Sequence, residues 1–496
     1  MSPVQRRCVT AGVMIATAIQ VADALIANVA LPQLLKDLGA GIELGAWIIT
    51  SYLCATAVMA PLTGWLRRRY GAARLFPAAV AVFIAGSLLC ALAPSGPIMI
   101  VFRILQGAGA GIIAPLAQAI LLDIHPPERH GRVMAWWGAA LMVGPIVGPL
   151  LGGIVTDLAS WRAVFAINFP LGLLVILLVR ALQNEVDRVA DTALDGISVL
   201  LLTVAVGALE LSLERSVGRS WFDSPELASE AIVTILALTL LIIRAHRTGF
   251  SIFRLDVFTD RNFAFAAFCN FMVSALLFVA VVFLPALAQG PLSYSATLAG
   301  FTIVPRAILM TLTMLVVGRL IGRISYRVLL CTGWVLMAAG LAILARIEPT
   351  QALAWILAGS IVQAIGAGFL FSPHSTLAFV TLTPAQRTDA AGVYSLVRQL
   401  GFASGVALMS AVLQTRIDAN LPGLSAAGDT SGGTEQLVNV ASIGGYTDCF
   451  GIMALAAIAV TPGVFLFRAR PSAEKVEAWI SLRADKAGGG RRHSAG

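Results

Sequence analysis

Runs of about 20 apolar residues, the length an α-helix needs to cross a hydrocarbon layer roughly 30 Å thick, recur from one end of this 496-residue chain to the other. They predict a polytopic membrane protein. Composition agrees: 58% of residues are hydrophobic and 12% charged, about half the charged share of a soluble domain. Helical spans are predicted at about 8–30, 45–66, 75–93, 97–122, 132–155, 161–182, 194–214, 228–245, 263–287, 295–318, 325–346, 351–379, 389–414 and 445–468. That makes fourteen crossings, which return both termini to one side.

The net charge of +8 raises the question of nucleic acid, but the arginines sit in short connectors instead of a basic domain. No nucleic-acid partner is expected. Lys36, Arg162, Arg215, Arg219, Arg346 and Arg416 fall on one side, Arg103, Arg306 and Arg398 within spans, and the other Lys and Arg residues on the amino-terminal side. Positive residues mark the cytoplasmic side, so both termini of this multi-pass protein are expected in the cytoplasm. The first run contains Asp23 and is followed by many more spans, so it is not read as a cleaved signal. Six scattered cysteines and five histidines form no ligand pattern, and no metal site is expected. His374 is expected to be a packed helix residue. The connector at 415–444 is expected to be a long flexible loop, and 469–496 a basic, Gly-rich cytoplasmic tail able to touch anionic lipid.

Internal similarity divides the chain further. "RILQGAGAG" at 103–111 compares with "SIVQAIGAG" at 360–368, and Gly144 and Gly148 match Gly401 and Gly405 at the same offset. "GWLRRRYGAARL" at 64–75 is echoed by "GRLIGRISYRVL" at 318–329. The predicted architecture is all-α: residues 1–182 as one six-helix half, 263–468 as a parallel second half, and 183–262 as two inserted helices with connectors. Parallel repeats around a midplane site are a recurring transporter layout.

"GAALMVGPIVGPLLGG", 138–153, places Gly144, Pro145, Gly148, Pro149, Gly152 and Gly153 inside an apolar run. Without a hydrophobic effect between helices in lipid, small residues supply close packing, and proline removes a backbone bond. Two readings stand: a tightly packed, kinked helix, or a pliable sealed interface on which one half rocks against the other. Charges inside spans are costly and mark functional candidates. Asp23 lies roughly 22 Å above the start of its helix and Arg103 roughly 9 Å below the start of its own, which puts both at nearly one depth. They form either a structural ion pair or a proton switch in which the cation favours the carboxylate and burial favours the acid. Gln106 and Asn28 are candidate polar partners. Arg306, Arg398 and Gln399 either snorkel or line a cavity, and Glu210 is expected at an interface.

These segments resemble a family. "GAALMVGPIVGPLLGG" is similar to the antiporter signature in the fifth helix of major facilitator drug exporters. "VADALIANVALP" (21–32), "FRILQGAGAG" (102–111), "WRAVFAINFPLG" (161–172), "LDVFTDRNF" (255–263) and "VRQLGFASGVAL" (397–408) resemble the fourteen-span drug:proton antiporters of the EmrB type. The resemblance implies a major facilitator fold, proton coupling through Asp23 and Arg103, and export of amphiphiles. It also implies a periplasmic adaptor and an outer-membrane channel as partners in a host with two membranes. One departure matters. The loop motif Gly64, Arg68, Arg69, Gly71, Arg74 carries Arg68 where the superfamily has an acid, which puts its usual salt-bridge latch in doubt. Asp123 either substitutes for that charge or is simply solvated.

Three further expectations follow. No cofactor beyond a proton gradient is needed, since no Walker A sequence occurs and "GAGAG" (107–111) lies within a span. No nucleophile and base cluster at one depth suggests an enzyme, and no soluble output domain suggests a receptor. Asp23 stands against three intramembrane arginines, so the favoured substrate is a neutral or anionic amphiphile. The alternative is proton-coupled transport of one specific endogenous metabolite, in either direction.

Overall fold

In hydrocarbon a backbone N–H or C=O finds no water, so a long apolar run has to bond itself as a helix. The computed structural model describes residues 1–39, 41–184, 195–216, 225–248, 255–426 and 434–467, and its secondary structure there is helical. The elements are α1 Pro3–Asp37, α2 Ile42–Tyr70, α3 Ala72–Ala91, α4 Gly96–Ile124, α5 His130–Leu158, α6 Trp161–Ala166, α7 Asn168–Leu178, α8 Gly196–Ser216, α9 Pro225–Thr248, α10 Arg261–Gln289, α11 Ala296–Leu320, α12 Tyr326–Leu344, α13 Ala352–Val380, α14 Pro384–Ala426 and α15 Thr434–Val460.

Among the described residues, eleven segments are long and apolar enough to span a membrane, with α6 and α7 together making one of them. Of the fourteen predicted, those over α5, α8 and α11 fall outside this set, and α8 has only the shorter apolar stretch Gly196–Leu209. The predicted tail at 469–496 lies outside the described residues.

Several boundaries differ from the sequence expectation, each for a local reason. Ser2 caps α1 in a reciprocal box with Gln5, its Oγ accepting from Gln5 N at 3.2 Å while Ser2 N donates to Gln5 Oε1 at 2.8 Å. The helix therefore starts before residue 8. The long loop expected at 415–444 is largely helix, because α14 runs on to Ala426 and α15 begins at Thr434. Gln414 Nε2 donates to Asp418 Oδ1, one turn on, at 3.2 Å, the i,i+4 spacing that supports an exposed helix. The sixth predicted span is interrupted at Ile167, between α6 and α7.

Glycine decides how the helices meet. A Cβ on Gly86 of α3 would lie 2.7 Å from the backbone N of Gln106 in α4, and one on Gly109 would lie 2.6 Å from Phe83 N. On the other side of α4, Cβ atoms on Gly107 and Gly111 would come within 2.5 Å of the carbonyls of Tyr52 and Thr56 on α2. The later helices repeat the arrangement. Gly366 of α13 meets Met337 N of α12 at 2.5 Å, and Gly368 meets Thr313 of α11 at 2.7 Å. Gly401 and Gly405 of α14 press on Phe271 and Ala275 of α10, as Gly144 of α5 presses on Val21 and Ala22 of α1. Gly71, at φ +76°, ends α2 and starts α3, a turn that residues with a Cβ make only with strain.

α8 and α9 pack on each other, tied by Arg244 to Asp195 at 2.9 Å, and α8 also leans on α2 and α14. α9 presents Ile232, Ile235 and Leu236 outward, a surface suited to lipid. Replacing Gly86 with alanine is expected to cost about 1 to 3 kcal/mol through overpacking against backbone. Gly207→Ala, where a Cβ meets open space, should be neutral. Thermal unfolding midpoints of the two variants in detergent check this.

Candidate functional site

Gly107, Gly109 and Gly111 of α4, with Gly86 of α3, bring the backbones of α2, α3 and α4 close enough for one long side chain to reach across. Arg103 is fully buried, and Asp23 is 1% exposed. Arg103 Nη1 donates to Asp23 Oδ2 at 2.8 Å and to Gln106 Oε1 at 2.8 Å, while Nε donates to the Ile48 carbonyl at 3.3 Å. The guanidinium lies over the Tyr52 ring at 4.2 Å and faces Phe165 at 5.7 Å. Tyr52 itself is fixed by donating its hydroxyl to the Gln20 carbonyl at 2.8 Å. Arg103 Nη2 and Gln106 Nε2 are buried without a hydrogen-bond partner. Asn168, at the start of α7, completes the cluster: its Nδ2 lies 2.5 Å from Asp23 Oδ1 and 2.8 Å from Ser87 Oγ. Sequence reasoning missed Asn168 and Ser87. The signal for Asn168 was an amide inside an apolar run, seven residues into its span like Arg103.

Arg306, Arg398 and Gln399 are not drawn into this cluster. The side chains of Asn28 and Glu210 lie outside the described residues. Arg306 is 4% exposed, and its Nη2 donates to the Leu277 carbonyl at 2.9 Å. Arg398 Nη2 reaches Ser395 Oγ at 3.3 Å, and the adjacent Gln399 is partly buried. His374 packs between Trp334 and Phe467, with ring centroids 6.0 and 6.1 Å away. Gln363, the counterpart of Gln106, donates to the Leu276 carbonyl at 3.1 Å, next to the carbonyl that Arg306 uses.

The Gly-Pro segment sits within an uninterrupted α5. Gly144, Gly148 and Gly152 are buried, while the side chains of Pro145, Pro149 and Gly153 lie outside the described residues. Gly144 faces α1 of the same half, which corrects the idea that this residue forms a surface between halves. Among the described residues, inter-half contacts of α5 lie near its start. Gly138 meets Phe371 and Met314, Gly131 meets Ile321, and Ser372 Oγ donates to the Gly131 carbonyl at 3.0 Å.

At the amino-terminal face the cation at position 68 is paired across the halves. Arg68 pairs with Asp389 of α14, and Arg67 donates to Thr388 Oγ1 at 2.6 Å and to Asp123 Oδ2 at 2.9 Å. Asp123 takes Arg387 as well, at 3.3 Å. Asp123 is thus a bridge between α2 and α14, and the cation at position 68 has found its acid on the opposite half. Gly64 makes room for Asp389, since a Cβ there would collide with that carboxylate. Arg69 is partly buried and Arg74 exposed. His130, buried beside Arg387, has its imidazole pulled down to about 4, by burial first and by that arginine second.

With this geometry in place, comparison with known proteins is informative. The family model described as Major Facilitator Superfamily matches residues 13–414. The multidrug export protein EmrB of Haemophilus influenzae is 32% identical over 401 residues, covering 80% of this chain and 79% of that protein. The fatty acid resistance protein FarB of Neisseria gonorrhoeae is 30% identical over 409 residues, covering 82% and 81%. Among solved structures, the human organic anion transporter MFSD10 aligns with a TM-score of 0.61 at 15% identity, covering 94% of this chain and all of that one. The proton:xylose symporter XylE aligns at 0.57, also at 15% identity, covering 93% and 97%.

Arg68→Asp and Asp389→Arg, each placing like charges together, are expected to cost about 1 to 3 kcal/mol. The double exchange should recover most of that loss, as read from a double-mutant cycle of unfolding in detergent. His130 generates a pH prediction with a definite sign. Its folded value lies below the ordinary 6.5, so the unfolded chain takes up a proton first, and stability present above about pH 6.5 is lost as pH falls toward about 4. His130→Gln should flatten that part of the stability profile.

Proposed function

The chain belongs to the Major Facilitator Superfamily, and from that premise we propose that it is a proton-driven multidrug exporter that moves amphiphilic compounds outward by alternating access. The observation carrying this reading is the fully buried Asp23 and Arg103 pair at 2.8 Å. A carboxylate beside a permanent cation exchanges that partner for a proton when it is neutralised, and the released guanidinium then has to find another acceptor. Arg103 Nη2 and Gln106 Nε2, two buried donors with nothing to bond, suit a site that changes partners during a cycle. About 30% identity across four fifths of the chain to proteins named for multidrug export and fatty acid resistance supports the export of small molecules. Each 100 mV of driving force supplies roughly 2.3 kcal/mol per proton charge, or about 1.7 decades of concentration.

The face carrying the amino terminus is the cytoplasmic face of the inner membrane in this reading, and the Arg68, Asp389, Asp123 and Arg387 contacts close it. The proton gradient is the only energy source required. An adaptor and outer-membrane channel would continue the route in a host with two membranes. Substrate charge follows from the arginines. Arg306 and Arg398 have a backbone carbonyl and a serine hydroxyl as their partners, so neutral and anionic amphiphiles are favoured over strong cations.

The test is purified protein in proteoliposomes loaded with a pH-sensitive dye, challenged with anilinonaphthalene sulfonate as a permanent anion and tetraphenylphosphonium as a permanent cation. The expected result is proton movement on adding the anion, abolished in Asp23→Asn. Equal proton movement with Asp23→Asn would overturn the coupling role, and a strong preference for the cation would overturn the substrate class.

A further inference from the structure

The two oxygens of Asp23 are held from opposite sides. Oδ2 takes Arg103, whereas Oδ1 takes the amide of Asn168 at 2.5 Å. The same amide nitrogen lies 2.8 Å from Ser87 Oγ, and the Ser87 hydroxyl donates to the Phe165 carbonyl at 2.8 Å. All three side chains are at least 97% buried. The direction of each bond is fixed by chemistry. A carboxylate only accepts, and Ser87, having given its one hydrogen to Phe165, is left with an accepting oxygen. Asn168 must therefore turn its NH2 toward both, one hydrogen for each.

The break in the sixth span is what makes this chain of bonds possible. Phe165 lies at the end of α6, Ile167 separates the helices, and Asn168 opens α7. Carbonyls in the last turn of a helix lack an intrahelical partner, which leaves that of Phe165 open to Ser87 of α3. Asn168, on the far side of the break, is presented to α1 and α3 together.

We propose that Asn168 is a positioning residue that ties the protonation of Asp23 to the α6–α7 break. With both amide hydrogens donated, a proton arriving on Asp23 Oδ1 would meet an N–H and find no acceptor. The proton is accommodated when the amide turns over, so that Asn168 Oδ1 accepts from the new carboxyl O–H. That turn withdraws the donor from Ser87, and the hydrogen bond from the start of α7 to α3 is released. No covalent bond is made or broken beyond the O–H on Asp23. The ionisable groups around Asp23 are Arg103 on α4, Tyr52 on α2 and Cys90 on α3. α5 brings Gly144 against the neighbouring Val21 and Ala22, and α7 brings Asn168; neither ionises. Asn168 and Ser87 are thus the uncharged members of the cluster that respond to the proton. The inference rests on Asp23 being the proton carrier.

Asn168→Leu and Ser87→Ala in the full chain, reconstituted as above with anilinonaphthalene sulfonate, test it. Two quantities are read: substrate counterflow, which needs no net proton movement, and the pH profile of substrate-triggered proton release. Hydrogen bonds to a carboxylate favour its charged form, so removing the Asn168 donor is expected to move the profile toward alkaline pH by about one unit, a tenfold change in proton concentration. Ser87→Ala, which deletes one oxygen, should move it the same way by less. Counterflow should stay within about twofold of the native protein in both. A profile unchanged in Ser87→Ala and Asn168→Leu overturns the proposal, as does equal loss of counterflow and proton release, the mark of a structural role. Should Asn168→Leu fail to fold, Ser87→Ala decides alone. Native proton release that survives in Asp23→Asn would instead show that the carrier was misassigned, and the inference falls with it.

Discussion

The close approach of α4 to α2 and α3 is the constraint on which the site depends. In lipid no hydrophobic effect draws helices together, so contact has to come from shape, and small residues are what permit it. Gly107 and Gly111 settle α4 against the carbonyls of α2, and Gly86 and Gly109 interlock α3 with α4. That approach lets Arg103 reach Ile48 on α2 and Asp23 on α1 while remaining fully buried. Widening any of these seams by one methyl group would pull the guanidinium away from an acceptor it cannot replace. The cost of an unpaired charge in such surroundings is far larger than the gain from any single packing contact.

The two halves share this packing without sharing the chemistry. Gly366 and Gly368 hold α13 against α12 and α11 much as Gly109 and Gly111 hold α4. Gln363 recurs where Gln106 stands, yet the residue matching Arg103 is Ser360, buried and bonded to its own helix through the Leu357 carbonyl at 3.2 Å. The cations within the spans of the second half sit instead on α11 and α14, as Arg306 and Arg398, and lean on a backbone carbonyl and a serine hydroxyl. A duplicated scaffold thus presents a paired charge on one side and cations bonded to neutral groups on the other. In the proposed cycle this divides labour, with the proton handled by the first half and an anionic group on the substrate attracted by the second.

Much of this was legible in the sequence, and the parts that were not have physical causes. Hydropathy located helices, eleven of the predicted segments being long and apolar enough to span a membrane, and counting 1.5 Å per residue along two helices brought Asp23 and Arg103 to one depth, because that count depends only on local helix geometry. Asn168 was overlooked because its importance comes from the break at Ile167, and a helix interruption inside an apolar run leaves little trace in hydropathy. The Arg68 and Asp389 contact was out of reach for a different reason. It joins residues 321 apart in sequence, and only the folded arrangement of the halves reveals which acid answers which base. Helix ends at α1 and α14 ran longer than expected because polar residues outside the bilayer extend a helix through caps and i,i+4 bonds that hydropathy ignores.

Magnitudes indicate where the cycle is controlled. The latch at the amino-terminal face is partly open to water, with Arg67 and Asp123 17% and 18% exposed and Arg68 28% exposed, against 1% for Asp389 and 8% for Arg387. Pairs with one member in reach of water contribute on the order of 1 kcal/mol each, and water reaches the buried partner as the halves separate. Asp23 and Arg103 are shut away from solvent, both side chains being 0% exposed, and stripping one partner from a buried pair costs about 3 to 5 kcal/mol. Opening the latch is therefore the smaller obstacle. Parting the buried pair is the larger one, and neutralising Asp23 removes most of it, since a protonated carboxyl no longer needs the guanidinium. In the proposed cycle, a latch that yields easily and a buried pair that yields to a proton together let the proton gradient, and not thermal opening of the amino-terminal face, set the direction of transport.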